Sequence, residues 1–219
     1  MAPLPDHLTA TAVGKERISK DVLEQHQRLR VLTAATEVFA RGGYQATTVD
    51  RIVVAARIGV GSFYALFDGK EDCFLHLYDL IVAEAEERIA AAAADEDAWP
   101  DMARAGLRAL LELVAAEPDR ARVVIVEART AGAAGEGRYE ETVARLAAAL
   151  REGRAGAAGA EPQAAFEDAA IGGLAWALHQ RLVVGSPVRV GELLPQMADF
   201  LVRPYLGGGA AGGPGVTGR

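Results

Sequence analysis

The segment from Thr47 to Lys70 concentrates groups that suit a phosphate. Hydroxyls stand at Thr47 and Thr48, directly before an apolar run that predicts a short helix, and free N–H groups at a helix start bind phosphates. Thr47 is alternatively a pure N-cap. Lys70 lies in the first turn of another predicted helix, where a cation opposes the helix macrodipole. A phosphate would remove that conflict, and the alternative is that the ammonium points into water.

Enzyme chemistry has no comparable signal. Residues 71–219 contain no CxxC, HExxH, GxxxxGK[ST] or GxSxG pattern, and no GxGxxG after a strand. The single cysteine, Cys73, precedes Phe74 on a predicted helix, which favours a buried structural thiol over a nucleophile. We therefore predict no enzyme activity, no cofactor and no metal site.

Helices must position these residues, because alanine, leucine, glutamate and arginine dominate the chain and strand signals are nearly absent. The β-branched run Val123–Val126 lies within a longer segment of helical period, as does Leu182–Val184. The sequence therefore predicts an all-α fold.

The N-terminal elements follow from apolar stripes and glycines. Residues 1–22 contain two prolines and predict a flexible arm. Residues 24–41 predict a helix that ends at Gly42-Gly43. A capping box at Thr47–Asp50 starts a second helix, a short third helix follows Gly59, and a long helix begins at Lys70.

The remaining apolar stripes predict helices near 99–116, 118–132, 139–153, 162–184 and 190–205. Gly153–Gly159 predicts a loop of small residues. The tail 207–219 contains 7 glycines in 13 residues and predicts disorder.

Two short helices joined by a tight turn, after a supporting helix, form a helix-turn-helix module. Residues 28–74 fit this order, and they closely resemble the TetR family of bacterial transcription regulators. The resemblance is carried by Ala35, Phe39, Gly43-Tyr44, Ala46-Thr47-Thr48, Ile52, Ala56, Gly61-Ser62-Phe63-Tyr64, Phe67 and Lys70-Glu71.

The resemblance implies a three-helix DNA-binding domain over 23–70 and a helical ligand-binding and dimerisation domain over 71–206. A recognition helix places its N-terminal residues against base edges in the major groove. The candidate DNA-binding residues are Thr47, Thr48, Arg51, Arg57, Val60, Gly61, Ser62, Tyr64 and Lys70.

Several of these residues have two interpretations. Val60 contacts a thymine methyl group or belongs to the core. Tyr64 offers its hydroxyl to DNA or is a core tyrosine. Arg57 stands where the family usually has glycine, and it either contacts the DNA backbone or is a solvated turn residue. Gly61 allows close approach of the backbone.

The C-terminal part of family members binds a small ligand between helices and forms dimers. The candidate ligand-binding residues are Trp99, Met102, Leu110, Val124, Glu127, Phe166, Trp176 and His179. Each apolar one is alternatively plain core, and His179 is alternatively a core or interface histidine. We expect a homodimer in which helices 162–184 and 190–205 form a four-helix bundle, with close approach at Gly172, Gly173 and Ala175.

Charge is distributed unevenly along the chain. The net charge is −7, yet residues 1–70 hold 9 Lys and Arg against 7 Asp and Glu, and residues 71–219 hold 14 against 23. A slightly basic part joined to an acidic part suggests two tasks.

No apolar run is long enough to cross a membrane, and one cysteine fits a reducing cytoplasm. We therefore expect a cytoplasmic, ligand-responsive regulator, in this family usually a repressor. It would bind a near-palindromic operator in double-stranded DNA, and a small apolar or amphipathic ligand would release it. The alternative is a helical carrier or enzyme whose helix-turn-helix mediates only protein contacts.

Overall fold

A computed structural model of the chain describes residues 7–154 and 165–205. These residues divide between two compact units, Met1–Tyr78 and Asp79–Arg219. Every regular element in the described ranges is helical, as the sequence predicts.

The first unit contains helices α1 (His7–Gly42), α2 (Val49–Ala56) and α3 (Val60–Tyr64), and the start of α4 (Lys70–Ala94). The sequence predicts a flexible arm over 1–22, and this prediction is wrong from His7 onward. Residues 7–22 contain no proline and many helix formers, so the single Gly14 is tolerated within a helix. Residues 1–6 lie outside the described part.

An aromatic cluster forms the core of this unit. The rings of Phe39 and Tyr44 stack with centroids 5.7 Å apart, and Phe74 meets both edge-on at 5.2 and 5.0 Å. Because Phe74 belongs to this cluster, the first turns of α4 are part of the first unit. The boundary between the units accordingly falls after Tyr78, whereas the sequence places it after Lys70.

The second unit contains the rest of α4, then α5 (Trp99–Ala116), α6 (Pro118–Arg122), α7 (Gly132–Arg154), α8 (Phe166–Val183) and α9 (Val190–Val202). The predicted loop at 153–159 and the predicted tail at 207–219 lie outside the described residues, apart from Gly153 and Arg154 at the end of α7. The core packs α5 against α9, and α8 contributes to the same cluster, through Leu107, Leu111, Leu174, Leu178, Leu193 and Leu201.

The predicted helix at 118–132 is interrupted. After α6 the backbone forms a π-helical turn over Val123–Glu127 and a 3₁₀ turn over Ala128–Thr130. β-Branched side chains crowd the preceding turn of an α-helix, and Val123–Val126 places four in succession. Gly135 in α7 packs closely on the 3₁₀ turn, where a Cβ atom would lie 2.7 Å from the carbonyl oxygen of Ala128.

Three ion pairs hold α4 to its neighbours within the second unit. Glu84 accepts a hydrogen bond from Arg120 on α6 at 2.6 Å, and this bond lowers the pKa of Glu84. Arg145 on α7 bonds Glu86 at 3.0 Å, and Arg138 lies 3.4 Å from Asp79.

Candidate nucleic-acid interface

The short helix α3 presents one face to the core and another to solvent. Phe63 is fully buried, and its ring packs against Phe67 with centroids 5.5 Å apart. On the same helix, Val60 is 46% exposed and Tyr64 is 55% exposed. These exposures exclude the core interpretation of both residues.

Gly61 and Ser62 complete the exposed side of α3. A Cβ atom built on Gly61 would meet nothing within 4 Å, so the backbone of α3 is open to an approaching molecule there. Ser62 is half-buried. The solvent side of α3 therefore consists of an isopropyl group, a bare backbone, a partly accessible hydroxyl and a phenol.

The turn between α2 and α3 passes through Arg57, whose φ is 54° and ψ is 48°. This left-handed conformation suits glycine and costs other residues about 1–2 kcal/mol. The conformation explains why the family usually has glycine at this position. The side chain of Arg57 is exposed.

Arg30 on α1 stabilises this strained turn. Its Nη2 donates hydrogen bonds to the carbonyl oxygens of Ala56 at 2.7 Å and Arg57 at 3.1 Å. A cation at the C-terminus of α2 also complements the helix dipole. Sequence reasoning missed Arg30, since a contact over 26 residues leaves no local signal.

Thr47 has to be removed from the phosphate-contacting set. Its side chain is only 1% exposed, and its hydroxyl donates a 2.8 Å hydrogen bond to the carbonyl oxygen of Gly43. Thr48 is the N-cap of α2 instead, accepting from the backbone N–H of Arg51 at 3.4 Å. Because Thr48 is exposed at the start of α2, it stays a candidate for a phosphate contact.

Two cations near this surface have backbone partners. Arg51 is exposed, and its Nη1 donates to the carbonyl oxygen of Ala46 at 3.0 Å. The Lys70 ammonium donates to the carbonyl oxygen of Tyr44 at 3.0 Å and lies 4.2 Å from the centre of the Tyr44 ring. The Tyr44 carbonyl oxygen thus offsets the unfavourable position of a cation at the start of a helix. The sequence alone suggests a phosphate or water as the partner of Lys70 at that position. An ammonium has three N–H donors, and the hydrogen bond to Tyr44 uses one of them.

The Cys73 thiol and the Tyr44 phenol of this unit both have raised pKa values. Burial, with a smaller contribution from Asp72, raises the pKa of the Cys73 thiol to about 12. The thiol is therefore protonated at neutral pH, in agreement with a structural role. Burial and the Glu71 carboxylate raise the pKa of Tyr44.

Comparison with known proteins identifies this module. The family model described as "Bacterial regulatory proteins, tetR family" matches residues 31–77. The first unit of this chain is therefore similar to regulators of the TetR family over residues 31–77. It is also 33% identical over 72 residues to the uncharacterized HTH-type transcriptional regulator YhgD of Bacillus subtilis. That match spans 33% of this chain and 35% of YhgD.

Solved structures of regulators share the fold over most of the chain. The fatty acid degradation regulator FadR from Bacillus halodurans superposes with a TM-score of 0.71 at 19% identity, covering 80% of this chain and 94% of that one. FadR from Bacillus subtilis, in complex with stearoyl-CoA, gives 0.70 at 20% identity, with 80% and 97% covered. A TetR-like regulator from Rhodococcus gives 0.68 at 20% identity, with 81% and 94% covered.

The predicted ligand-binding residues lie on several helices of the second unit, and three of them, Trp99, Leu110 and Phe166, belong to or pack on one hydrophobic core. Trp99 is buried in the core, and its indole N–H donates to the carbonyl oxygen of Leu150 at 3.3 Å. Leu110 and Phe166 are half-buried and pack on the same core, and Met102 and Val124 are also half-buried. Trp176 is 56% exposed, and its contact with a ligand stays a prediction.

Two predicted polar ligand contacts lie close to arginines. Glu127 is buried in the π-helical turn, with its carboxylate 3.4 Å from Nε of Arg122. Arg122 also donates from Nη1 to the carbonyl oxygen of Leu182 at 2.8 Å. His179 stacks on Trp176 with ring centroids 5.6 Å apart. Burial, together with Arg129 and Arg122, lowers the pKa of His179.

The predicted dimer residues lie on α8 near exposed apolar side chains. Gly172 and Ala175 are half-buried and Gly173 is exposed. A Cβ atom on Gly173 would be 4.0 Å from the ring of Phe200 on α9. Trp176 and Phe200 are both at least half exposed, so α8 and α9 present aromatic surface to solvent.

The described residues show neither a metal site nor a helix suited to a bilayer. In the described ranges, no group of three or more His, Cys, Asp or Glu side chains is arranged to bind a metal ion. None of the helices in those ranges combines the length and apolar character that crossing a bilayer requires.

Proposed function

We propose that this chain is a DNA-binding transcriptional regulator, a repressor that works as a homodimer on a near-palindromic operator. The observation that supports it best is the solvent side of α3, where Val60 and Tyr64 are exposed beside the bare backbone of Gly61. A helix-turn-helix places this part of its recognition helix in the major groove. Thr48, Arg51, Arg57, Ser62 and Lys70 are the proposed flanking contacts. The chain acts by binding rather than by catalysis, in the cytoplasm where bacterial DNA lies.

Gly61→Ala tests the DNA interface directly. Within the free protein the new methyl group meets nothing, and alanine stabilises a helix by about 0.5–1 kcal/mol relative to glycine. We expect unchanged or higher thermal stability but at least about tenfold weaker binding to DNA from the region upstream of the gene. Gly137→Ala on α7 is the matched control, because its Cβ also meets open space. Equal DNA affinity for both variants would contradict the proposed orientation of α3.

The homodimer rests on the exposed aromatic surface of α8 and α9. One short recognition helix reads few base pairs, so two copies on neighbouring half-sites are needed for specificity. Trp176→Arg should convert a dimer of about twice 23.0 kDa into a monomer in sedimentation at micromolar concentration. Val54→Arg, a change of an exposed valine on α2, should leave the dimer intact. A monomeric wild-type protein would refute this part of the proposal.

The proposed ligand is a small amphipathic molecule that binds within the second unit and lowers DNA affinity. Its support is the FadR neighbour, which was solved with stearoyl-CoA, an amphipathic thioester. Such a ligand must bind the DNA-incompetent state more tightly, and a 100-fold preference corresponds to about 2.7 kcal/mol. A panel of acyl-CoA thioesters of increasing chain length should release the protein from DNA. Unchanged affinity across the panel and a wider metabolite screen would exclude induction by such ligands.

A helical carrier or enzyme is the second candidate function, and the acidic C-terminal unit is its only support. Gel shift with upstream DNA separates the two, because a carrier whose helix-turn-helix contacts only proteins would not retard the DNA.

A further inference from the structure

The recognition helix lacks the side chains that read bases through hydrogen bonds. In the major groove, Arg or Lys reads guanine, and Asn or Gln reads adenine. The five residues of α3, Val60–Tyr64, include none of these four types. If α3 enters the groove, as the proposed function requires, its direct readout has to use other chemistry.

The accessible chemistry at the start of α3 is apolar. Val60 is its first residue and is 46% exposed, Gly61 has no side chain, and Phe63 is turned into the core. The hydroxyl of Ser62 is only half-accessible, and Tyr64 lies at the last position of α3. The isopropyl group of Val60 is therefore the side chain that the N-terminal end of α3 offers to base edges.

Only one group on major-groove base edges matches an isopropyl group. The C5 position of thymine carries a methyl group, whereas the other exposed groups are hydrogen-bond donors and acceptors. We infer that Val60 is a specificity-determining residue that reads a pyrimidine 5-methyl group, one in each operator half-site. This inference rests on the proposed function, since it assumes that α3 docks in the major groove.

The nearest cations are the competing readers. The Nη1 atom of Arg51 donates a hydrogen bond to the carbonyl oxygen of Ala46, and this bond holds the guanidinium at the α1–α2 loop. Arg57 is exposed in the turn before α3, so it is the stronger competitor for the readout. It would recognise guanine rather than thymine. The two readings predict different base dependence, so synthetic operators can separate them.

The experiment starts from operators chosen by the protein itself. Full-length protein selects duplexes from a random-sequence library, and the recovered operator is resynthesised with deoxyuridine replacing thymidine at one position at a time. Deoxyuridine removes only the methyl group and leaves the pairing unchanged. A second series places cytosine or 5-methylcytosine at the position found sensitive.

We expect one position in each half-site at which deoxyuridine weakens binding about fourfold, and about 15-fold when both half-sites are changed. 5-Methylcytosine should bind better than cytosine there by a similar factor. Val60→Ala should reduce both differences, because it removes the two γ-methyl groups, while Val54→Ala should leave them unchanged, because Val54 is a valine that is 76% exposed on α2. Thermal melting of each variant confirms that it is folded.

The outcomes separate this inference from the proposed function. If the selection enriches no sequence and the protein retards no DNA, the proposed function is wrong. The inference is then wrong as well, because it rests on that function. If an operator is recovered but no thymine methyl matters, or if Val60→Ala is as sensitive to the methyl group as the wild type, the inference alone is wrong. Loss of affinity only when guanines are replaced would assign the readout to Arg51 or Arg57.

Discussion

The two compact units place their charged groups differently. In Met1–Tyr78 a cluster of aromatic rings packs among aliphatic side chains in the core, and Arg30, Arg51 and Lys70 donate to backbone carbonyl oxygens at its margin. Among the described residues of Asp79–Arg219, two carboxylates are buried. Glu127 faces Arg122, and Glu167 lies 3.2 Å from Arg154 and 3.9 Å from Arg151.

The two units should therefore differ in how their stability depends on charged groups. The cations at the margin of the first unit bond backbone carbonyl oxygens, so replacing one of them leaves no buried charge behind. In the second unit, removing one member of a pair that includes a buried carboxylate leaves a charge that has lost its partner, which lowers stability more. The stability of the second unit should therefore depend more strongly on individual charges, and the variants below test that contrast from the largest effect to the smallest.

Glu167→Gln should give the largest loss of stability. Glu167 is 0% exposed in the first turn of α8, and its partners come from the last turn of α7. Removing its charge leaves two arginines with a lost partner. We expect about 2–3 kcal/mol lower free energy of unfolding in urea, below the usual cost of breaking a fully buried pair because Arg151 is 40% exposed.

Asp168→Asn is the matched control for that loss. Asp168 is the next residue, and it also pairs with Arg151, at 3.2 Å, but on the surface. An exposed pair contributes about 0–1 kcal/mol. Equal destabilisation by the two variants would show that the burial of Glu167 does not matter, and the contrast between the units would lose its main support.

Local patterns explain what could be predicted from the sequence. The helices around 47–74 follow from capping residues, glycines and apolar spacing, all of which act within a few residues. Thr47 illustrates the limit, because a threonine before a helix has the same sequence signature whether it is the N-cap or is buried against Gly43. Only the fold shows that Thr48 has the capping role.

Contacts between distant segments were beyond reach for the same reason. Arg30 reaches the end of α2, and Glu167 meets arginines from the preceding helix, without any periodic signal in the sequence. The break after Arg122 also escaped prediction, because an apolar run of helical period does not distinguish an α-turn from a π-turn.

Lys70→Met should have the next largest effect, and it tests the margin of the first unit. The variant keeps the aliphatic stem but loses the bond to Tyr44 and the cation–π contact, for about 1–2 kcal/mol of stability. If the remaining N–H donors hold a phosphate, the slope of log affinity against log salt also falls by about one for all DNA sequences. Lys70→Arg should retain the slope. An unchanged slope would limit Lys70 to its structural bond.

Arg57→Gly should stabilise the first unit slightly. Glycine relieves the left-handed strain at φ 54°, although the more flexible unfolded chain offsets part of the gain. We expect up to about 1 kcal/mol more stability in chemical denaturation. Gly43→Ala is the converse control, because its φ is 77° and alanine would be strained there. A loss of stability in Arg57→Gly would mean that the arginine side chain has a stabilising contact that outweighs the strain.

The smallest expected effect is a pH dependence of stability, which His179 should confer on the second unit. Burial first, and then Arg129 and Arg122, lowers the pKa of His179 below its ordinary 6.5. Above pH 6.5 the ring is neutral in both the folded and the unfolded chain, so its contribution to stability is fully present. As the pH falls below 6.5, the unfolded chain takes up the proton first, and stability is lost until the folded state is protonated as well.

Thermal melting at pH 7.5 and pH 5.5 measures this effect. His179→Gln should lose less stability on acidification than the wild type. The carboxylates provide a common background in both proteins, so the comparison isolates the imidazole. If His179→Gln melts with the wild-type pH dependence, the arginines around His179 do not disfavour its protonated form, and sensitivity to local charge would then be confined to the buried carboxylates.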